Sequence, residues 1–133
     1  MAQQTPCTVL IVDDEPSVVI ALAELLRRQG YTVATASNGA LALAYLHAQP
    51  YDVILCDLFM PEIDGPTFYT MLQRDCPSLC PRVIFLTGDT IGATSAAFLQ
   101  QCGQPWLYKP FGTSEVLRAI TQVLHAADGP CTA

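Results

Sequence analysis

The sequence predicts an α/β domain built on a doubly wound, five-stranded parallel sheet. Three observations lead there. Five short apolar runs alternate along the chain with segments whose apolar residues recur at helical spacing. The runs are continuously apolar, as in parallel strands covered on both faces. The chain has 133 residues, 51% of them hydrophobic and only 14% charged, which suits one compact domain rather than a disordered chain. Right-handed crossovers between parallel strands then gather the loops at the carboxyl ends of the strands into a functional edge.

The elements follow in order. Thr8 to Val12 is an apolar run ending in acids, a first strand, after which Asp14 or a neighbour can cap a helix. From Pro16 to Gln29, Val19, Leu22, Leu25 and Leu26 repeat at helical spacing, with Gly30 as the stop. Thr32 to Ala36 reads as the second strand and Ala40 to Ala48 as a packing helix closed by Pro50. Val53 to Cys56 forms the third strand, ending at Asp57. A loop with Pro61 and Gly65 leads to a helix over Thr67 to Arg74. Val83 to Leu86 is a fourth strand ending at Thr87, and a weakly marked helix lies between Thr94 and Gln101. Trp106 to Tyr108 is the fifth strand, and after Lys109-Pro110 a last helix spans Ser114 to His125 with Val116, Ile120, Val123 and Leu124 inward. Asp128-Gly129-Pro130 marks the end of a folded core of about 8–126, so residues 1–133 are expected to form a single domain.

Composition excludes several functions. No stretch reaches the roughly 18 apolar residues of a membrane span. Met1 to Cys7 lacks the basic start and apolar core of a secretory signal, so a cytoplasmic location is expected. The six cysteines have no pairing rhythm, and reduced thiols are expected. Cys76 and Cys80 are close in sequence, but His47 and His125 do not complete a zinc site. These histidines sit near helix ends, where the dipole favours their charge. A formal charge of −6 with six basic residues argues against a nucleic-acid partner.

The polar residues at the strand ends carry the chemistry. Asp13 and Asp14 end the first strand, Asp57 the third, Thr87 the fourth, and Lys109 follows the fifth. Three carboxylates held together repel and raise at least one pKa unless a cation sits among them. Hard oxygen ligands with room for water suit Mg²⁺. Lys109 adds a second positive charge, and the Thr87 hydroxyl can contact a phosphoryl oxygen. Such a set suits phosphoryl transfer, which depends on positioning and charge neutralisation. Asp57 is then the nucleophile, forming an acyl phosphate without need of a general base.

These residues resemble the receiver domain of bacterial response regulators over essentially the whole chain, Val9 to about His125. The matching pieces are Val12-Asp13-Asp14-Glu15, Asp57 to Gly65, Leu86-Thr87-Gly88 and Lys109-Pro110-Phe111. The resemblance implies a flavodoxin-like receiver fold with strand order 2-1-3-4-5. It implies phosphorylation of Asp57 by a phosphohistidine on a sensor histidine kinase or histidine phosphotransfer protein. Asp13, Asp14, Asp57 and the backbone carbonyl of Phe59 are then the Mg²⁺ ligands. Lys109 pairs with the acceptor or the phosphoryl group, the peptide bond before Pro110 is cis, Thr87 moves toward the phosphoryl group, and Trp106 holds the switch-aromatic position. The implied protein is a signalling switch that assists its own phosphorylation and dephosphorylation, not an enzyme acting on other substrates. Phosphorylation biases the surface of the fourth helix, fifth strand and fifth helix toward a downstream output protein or domain, and homodimerisation through that surface follows by analogy.

Two positions depart from the family pattern. Trp106 stands where Tyr or Phe is usual, and Phe59, two residues after the acceptor, could shield the acyl phosphate from water. The wording Leu86-Thr87-Gly88-Asp89 and Gly103-Gln104-Pro105-Trp106 is similar to receivers attached to hybrid sensor kinases. Taken singly, the acidic pair could be a helix cap, Lys109 a surface lysine, and Trp106 core packing; their coincidence at the strand ends argues otherwise. Phe98 and Leu99 read as core or as a partner-facing patch. Two rival functions are a receiver-like binding module that is never phosphorylated, and an aspartyl-phosphate phosphatase. The complete acidic set opposes the first; Phe59 stands where the second needs a general acid.

Overall fold

The computed structural model describes residues 7–88 and 93–128. Its elements are β1 (Thr8–Val12), α1 (Pro16–Arg28), β2 (Thr32–Ala36), α2 (Gly39–Ala48), β3 (Val53–Asp57), α3 (Gly65–Asp75), a 3-10 helix (Pro77–Arg82), β4 (Val83–Thr87), α4 (Ala93–Cys102), β5 (Trp106–Tyr108) and α5 (Thr113–Asp128). The five strands form one parallel sheet in the order β2-β1-β3-β4-β5, as expected. The 3-10 helix was not expected; Pro77 and Pro81 break the helical period that sequence reading relies on.

Alternation along the strands divides the core in two. Leu10, Val12, Ile54, Cys56, Val83 and Phe85 face one side, packed against Ala42 and Leu46 of α2, Phe68 and Leu72 of α3 and Leu99 of α4. Val9, Ile11, Val53, Leu55, Ile84 and Leu86 face the other, under Leu22 and Leu26 of α1 and Val116, Ile120 and Val123 of α5. Both faces are thus covered, the physical reason the runs are continuously apolar. Phe98 stacks edge-to-face on Phe85 at 5.2 Å and on Tyr69 at 5.8 Å, so it joins the core rather than forming an exposed patch.

Helix ends account for the small differences in boundary. Asn38 accepts the Leu41 N–H at 2.8 Å and Asp64 the Thr67 N–H at 2.9 Å, so α2 and α3 begin at Gly39 and Gly65, earlier than apolar spacing suggests. The expected cap on α1 is not made. Glu15 holds the N-cap position without a side-chain cap bond, while Asp13 Oδ1 accepts the Glu15 N–H at 2.9 Å. At the far end of α1, Gly30 takes φ +96°, the left-handed stop expected there. His47 and His125 lie in the last turns of α2 and α5. Cys56, Cys76, Cys80 and Cys102 carry free thiols; Cys131 lies outside the described residues. Among the described residues no helix is long and apolar enough to cross a membrane.

Candidate functional site

The sheet brings the predicted polar residues to one edge. β1 and β3 are neighbours, and so are β3 with β4 and β4 with β5. The backbone ties their ends together: Asp13 N–H donates to Ala36 O at 3.1 Å, Leu58 N–H to Leu86 O at 2.8 Å, and Lys109 N–H to Thr87 O at 2.7 Å. The Asp13, Asp14 and Asp57 carboxylates each place an oxygen within 4.8 Å of the others, the one group of this kind among the described residues that could hold a metal ion. Asp13 and Asp57 are buried while Asp14 is exposed.

Lys109 closes the cluster. Its Nζ lies 2.9 Å from Asp13 Oδ2, 3.1 Å from Glu15 Oε1 and 3.3 Å from Asp57 Oδ2. It donates hydrogen bonds to Glu15 and Asp57. Asp13 Oδ2 is ion-paired with Lys109 without a hydrogen bond of good geometry, and the buried Thr87 Oγ1 has no hydrogen-bond partner among the described residues. A buried hydroxyl without a hydrogen-bond partner is uncommon and suits a site that completes its bonding with a ligand. The donor set is all hard oxygen, with one exposed carboxylate that leaves room for water, and so fits a small divalent cation.

The electrostatics agree with this geometry. Burial, then the adjacent Asp13 charge, push Asp57 up to about 6, although Lys109 and the Phe59 N–H pull the other way. Burial by itself would lower Lys109, but pairing with Asp13, Asp57 and Glu15 outweighs it and holds the ammonium above its ordinary value. A carboxylate whose pKa is raised by burial and one adjacent like charge, beside an ammonium, marks a functional-site candidate.

Other predicted positions fall around this centre. The Phe59 N–H donates to Asp57 Oδ1 at 3.3 Å, while its ring is more than half exposed. The Lys109-Pro110 peptide bond is cis. Trp106 is partly exposed on β5, its ring 4.8 Å from Tyr108 at 86°. Beside Lys109 a groove of about 600 Å³ runs between α1 and the segment after β5, lined among others by Glu15, Val18, Leu22, Pro110 and Phe111.

Two contributors were not singled out by sequence reasoning. Glu15 stands in the sequence as part of an acidic run, and its contact with Lys109 spans 94 residues, which no local pattern reveals. Gly65 reads in sequence as a loop residue that ends the Asp57 to Gly65 piece, with no packing role assigned. A side-chain carbon there would lie 2.8 Å from Leu58 Cα and 3.0 Å from Asp57 O, so a glycine lets α3 start against the end of β3.

Comparison with known proteins gives a consistent picture. The family model described as the response regulator receiver domain matches residues 9–121. The chain is 30% identical over 120 residues to the alkaline phosphatase synthesis transcriptional regulatory protein PhoP of Bacillus subtilis, covering 90% of this chain and 49% of that protein. It is 30% identical over 123 residues to the sensor kinase CckA of Brucella abortus, covering 91% of this chain and 13% of that one. It therefore spans about half, or much less, of these relatives. Among solved structures, the chemotaxis protein CheY4 of Vibrio cholerae superposes with a TM-score of 0.80 at 28% identity, covering 90% of this chain and all of that one.

Proposed function

The chain belongs to the response regulator receiver domain family of two-component signalling, and from that premise we propose that Asp57 is its phosphoacceptor. The observation that carries this is the convergence of the Asp13, Asp14 and Asp57 carboxylates with the Lys109 ammonium. On this reading Asp13, Asp14, Asp57 and the Phe59 backbone carbonyl hold Mg²⁺. The ion, when bound, supplies positive charge against the carboxylates and the phosphoryl oxygens.

The chain's own groups perform the rest. Asp57 presents a carboxylate oxygen to phosphorus, and no base is needed because that oxygen is already anionic. The bond from phosphorus to the donor nitrogen breaks, and the donor imidazole keeps the electron pair. Lys109 donates an N–H to the developing charge, and the Thr87 hydroxyl, buried without a hydrogen-bond partner among the described residues, turns to a phosphoryl oxygen. Trp106 and Tyr108 ride on β5, which pairs with β4 through Phe85, Leu86 and Thr87. Movement of Thr87 therefore reaches the α4-β5-α5 surface, where an output protein or domain, or a second copy of the chain, would read it.

The donor is the phosphohistidine of a sensor histidine kinase or a histidine phosphotransfer protein in the cytoplasm. Relatives carrying a similar segment include a transcriptional regulatory protein and a sensor kinase, and the output is expected to be of one of those kinds. Incubation with Mg²⁺ and acetyl phosphate, followed by intact mass measurement, tests the reading. Wild type should gain one phosphoryl group and Asp57→Asn none; no gain in either would leave a binding module that is never phosphorylated.

A further inference from the structure

We propose that Glu15 is a positioning residue that holds Lys109 at the rim of the site until an arriving phosphoryl group displaces it, an inference that rests on Asp57 being the phosphoacceptor. The short side chains of Ser, Thr, Asp and Asn bond back to the first-turn N–H groups from a helix N-cap, whereas the longer Glu side chain is not bound to that role. Glu15 occupies that position at the start of α1 and makes no such bond. Its backbone is pinned by the N–H it gives to Asp13 Oδ1, and its carboxylate reaches across the strand ends to Lys109 Nζ at 3.1 Å.

The ammonium has three N–H groups and three carboxylate neighbours, Asp13, Glu15 and Asp57. Glu15 and Asp57 accept hydrogen bonds from the ammonium and Asp13 is held to it by charge, so a phosphoryl oxygen that takes a bond from Lys109 competes with these carboxylates for the same positive charge. Asp13 and Asp57 are buried and belong to the cation cluster. The Glu15 side chain is 58% exposed, so it can return to water at little cost and is the partner that yields. Until it does, its negative charge stands at the mouth of the groove beside Lys109 and repels an anionic donor. Glu15 thus raises the concentration of small anionic donor needed for phosphorylation and favours a donor that arrives docked.

With acetyl phosphate, a carboxylate oxygen of Asp57 attacks phosphorus, the bond from phosphorus to the acetyl oxygen breaks, and acetate leaves with the electron pair. Initial rates across donor concentration, with Mg²⁺ fixed, should be measured by intact mass for wild type, Glu15→Gln and Asp57→Asn. Glu15→Gln should lower the half-saturating donor concentration by about two- to fivefold, as expected for one exposed charge contact, with a smaller change in maximal rate. The difference should narrow as salt is raised. Lys109 is the only lysine in the sequence, so ¹³C-lysine labelling gives a single side-chain NMR signal, which should shift in Glu15→Gln. A purely structural role would move stability but not the donor dependence. Unchanged or raised half-saturation, with wild type labelled and Asp57→Asn not, overturns the role of Glu15 alone. Absence of labelling in wild type overturns the phosphoacceptor reading and this inference together.

Discussion

Asp57 is buried beside Asp13, and the Asp13 charge adds to burial in pushing the Asp57 acid up to about 6. An unfolded aspartate titrates near 3.9. Between those values the folded chain binds more protons at this group than the unfolded one, so the Asp57 contribution to stability is fully present below about 3.9 and is lost as pH rises through about 6. The two-unit gap corresponds to about 3 kcal/mol as an upper figure. Asp57→Asn should therefore be more stable than wild type at pH 7.5 without divalent ions, by about 1–3 kcal/mol in urea denaturation. The gap should close at pH 4 and shrink when Mg²⁺ is added; a gap independent of pH would contradict the electrostatic account.

Asp14 is the exposed member of the carboxylate cluster and supports no packing. Asp14→Asn should therefore weaken Mg²⁺ binding by about tenfold or more while leaving metal-free stability within about 0.5 kcal/mol. Calorimetric titration with Mg²⁺, set beside a denaturation curve, separates the two effects.

Gly65 tests how α3 is seated on the acceptor strand. Gly65→Ala places a carbon against Leu58 Cα and Asp57 O, both backbone atoms that cannot swing aside. The expected cost is about 1–3 kcal/mol, as for overpacking elsewhere. Gly88→Ala is the control, since a carbon added there meets nothing within 4 Å. Equal melting temperatures for the two variants would show that α3 relaxes freely.

Phe59 lies two residues beyond Asp57, with its ring more than half exposed. An apolar ring there offers water no hydrogen-bonding group, so the phosphorylated state should be long-lived. Phe59→Asn supplies such a group and should speed loss of the phosphoryl group by about tenfold, below the range of a positioned general base. Mass measurement at intervals after removal of the donor gives both half-lives; equal half-lives would remove the shielding role.

Local pattern carried much of the fold. Continuous apolar runs at β1, β3 and β4 reflect burial on both sheet faces, and each reads correctly because its neighbours in sequence share its environment. Helix α3 starts two residues ahead of the Thr67 that apolar spacing predicts, because Asp64 caps it through a single side-chain bond to the Thr67 N–H, which leaves no periodic trace. Phe98 could not be assigned until Tyr69 and Phe85 were seen around it.

By itself the sequence determined that strands and helices alternate, and that Asp13, Asp14, Asp57, Thr87 and Lys109 stand at strand ends, because residue order and apolar period are local properties. Only the tertiary structure decided which carboxylates share the Lys109 ammonium, that Glu15 serves that ammonium rather than its own helix, and that Thr87 Oγ1 is buried without a hydrogen-bond partner among the described residues. Charges act through space, and the distances that set their strength arise from strand order and packing rather than from separation along the chain.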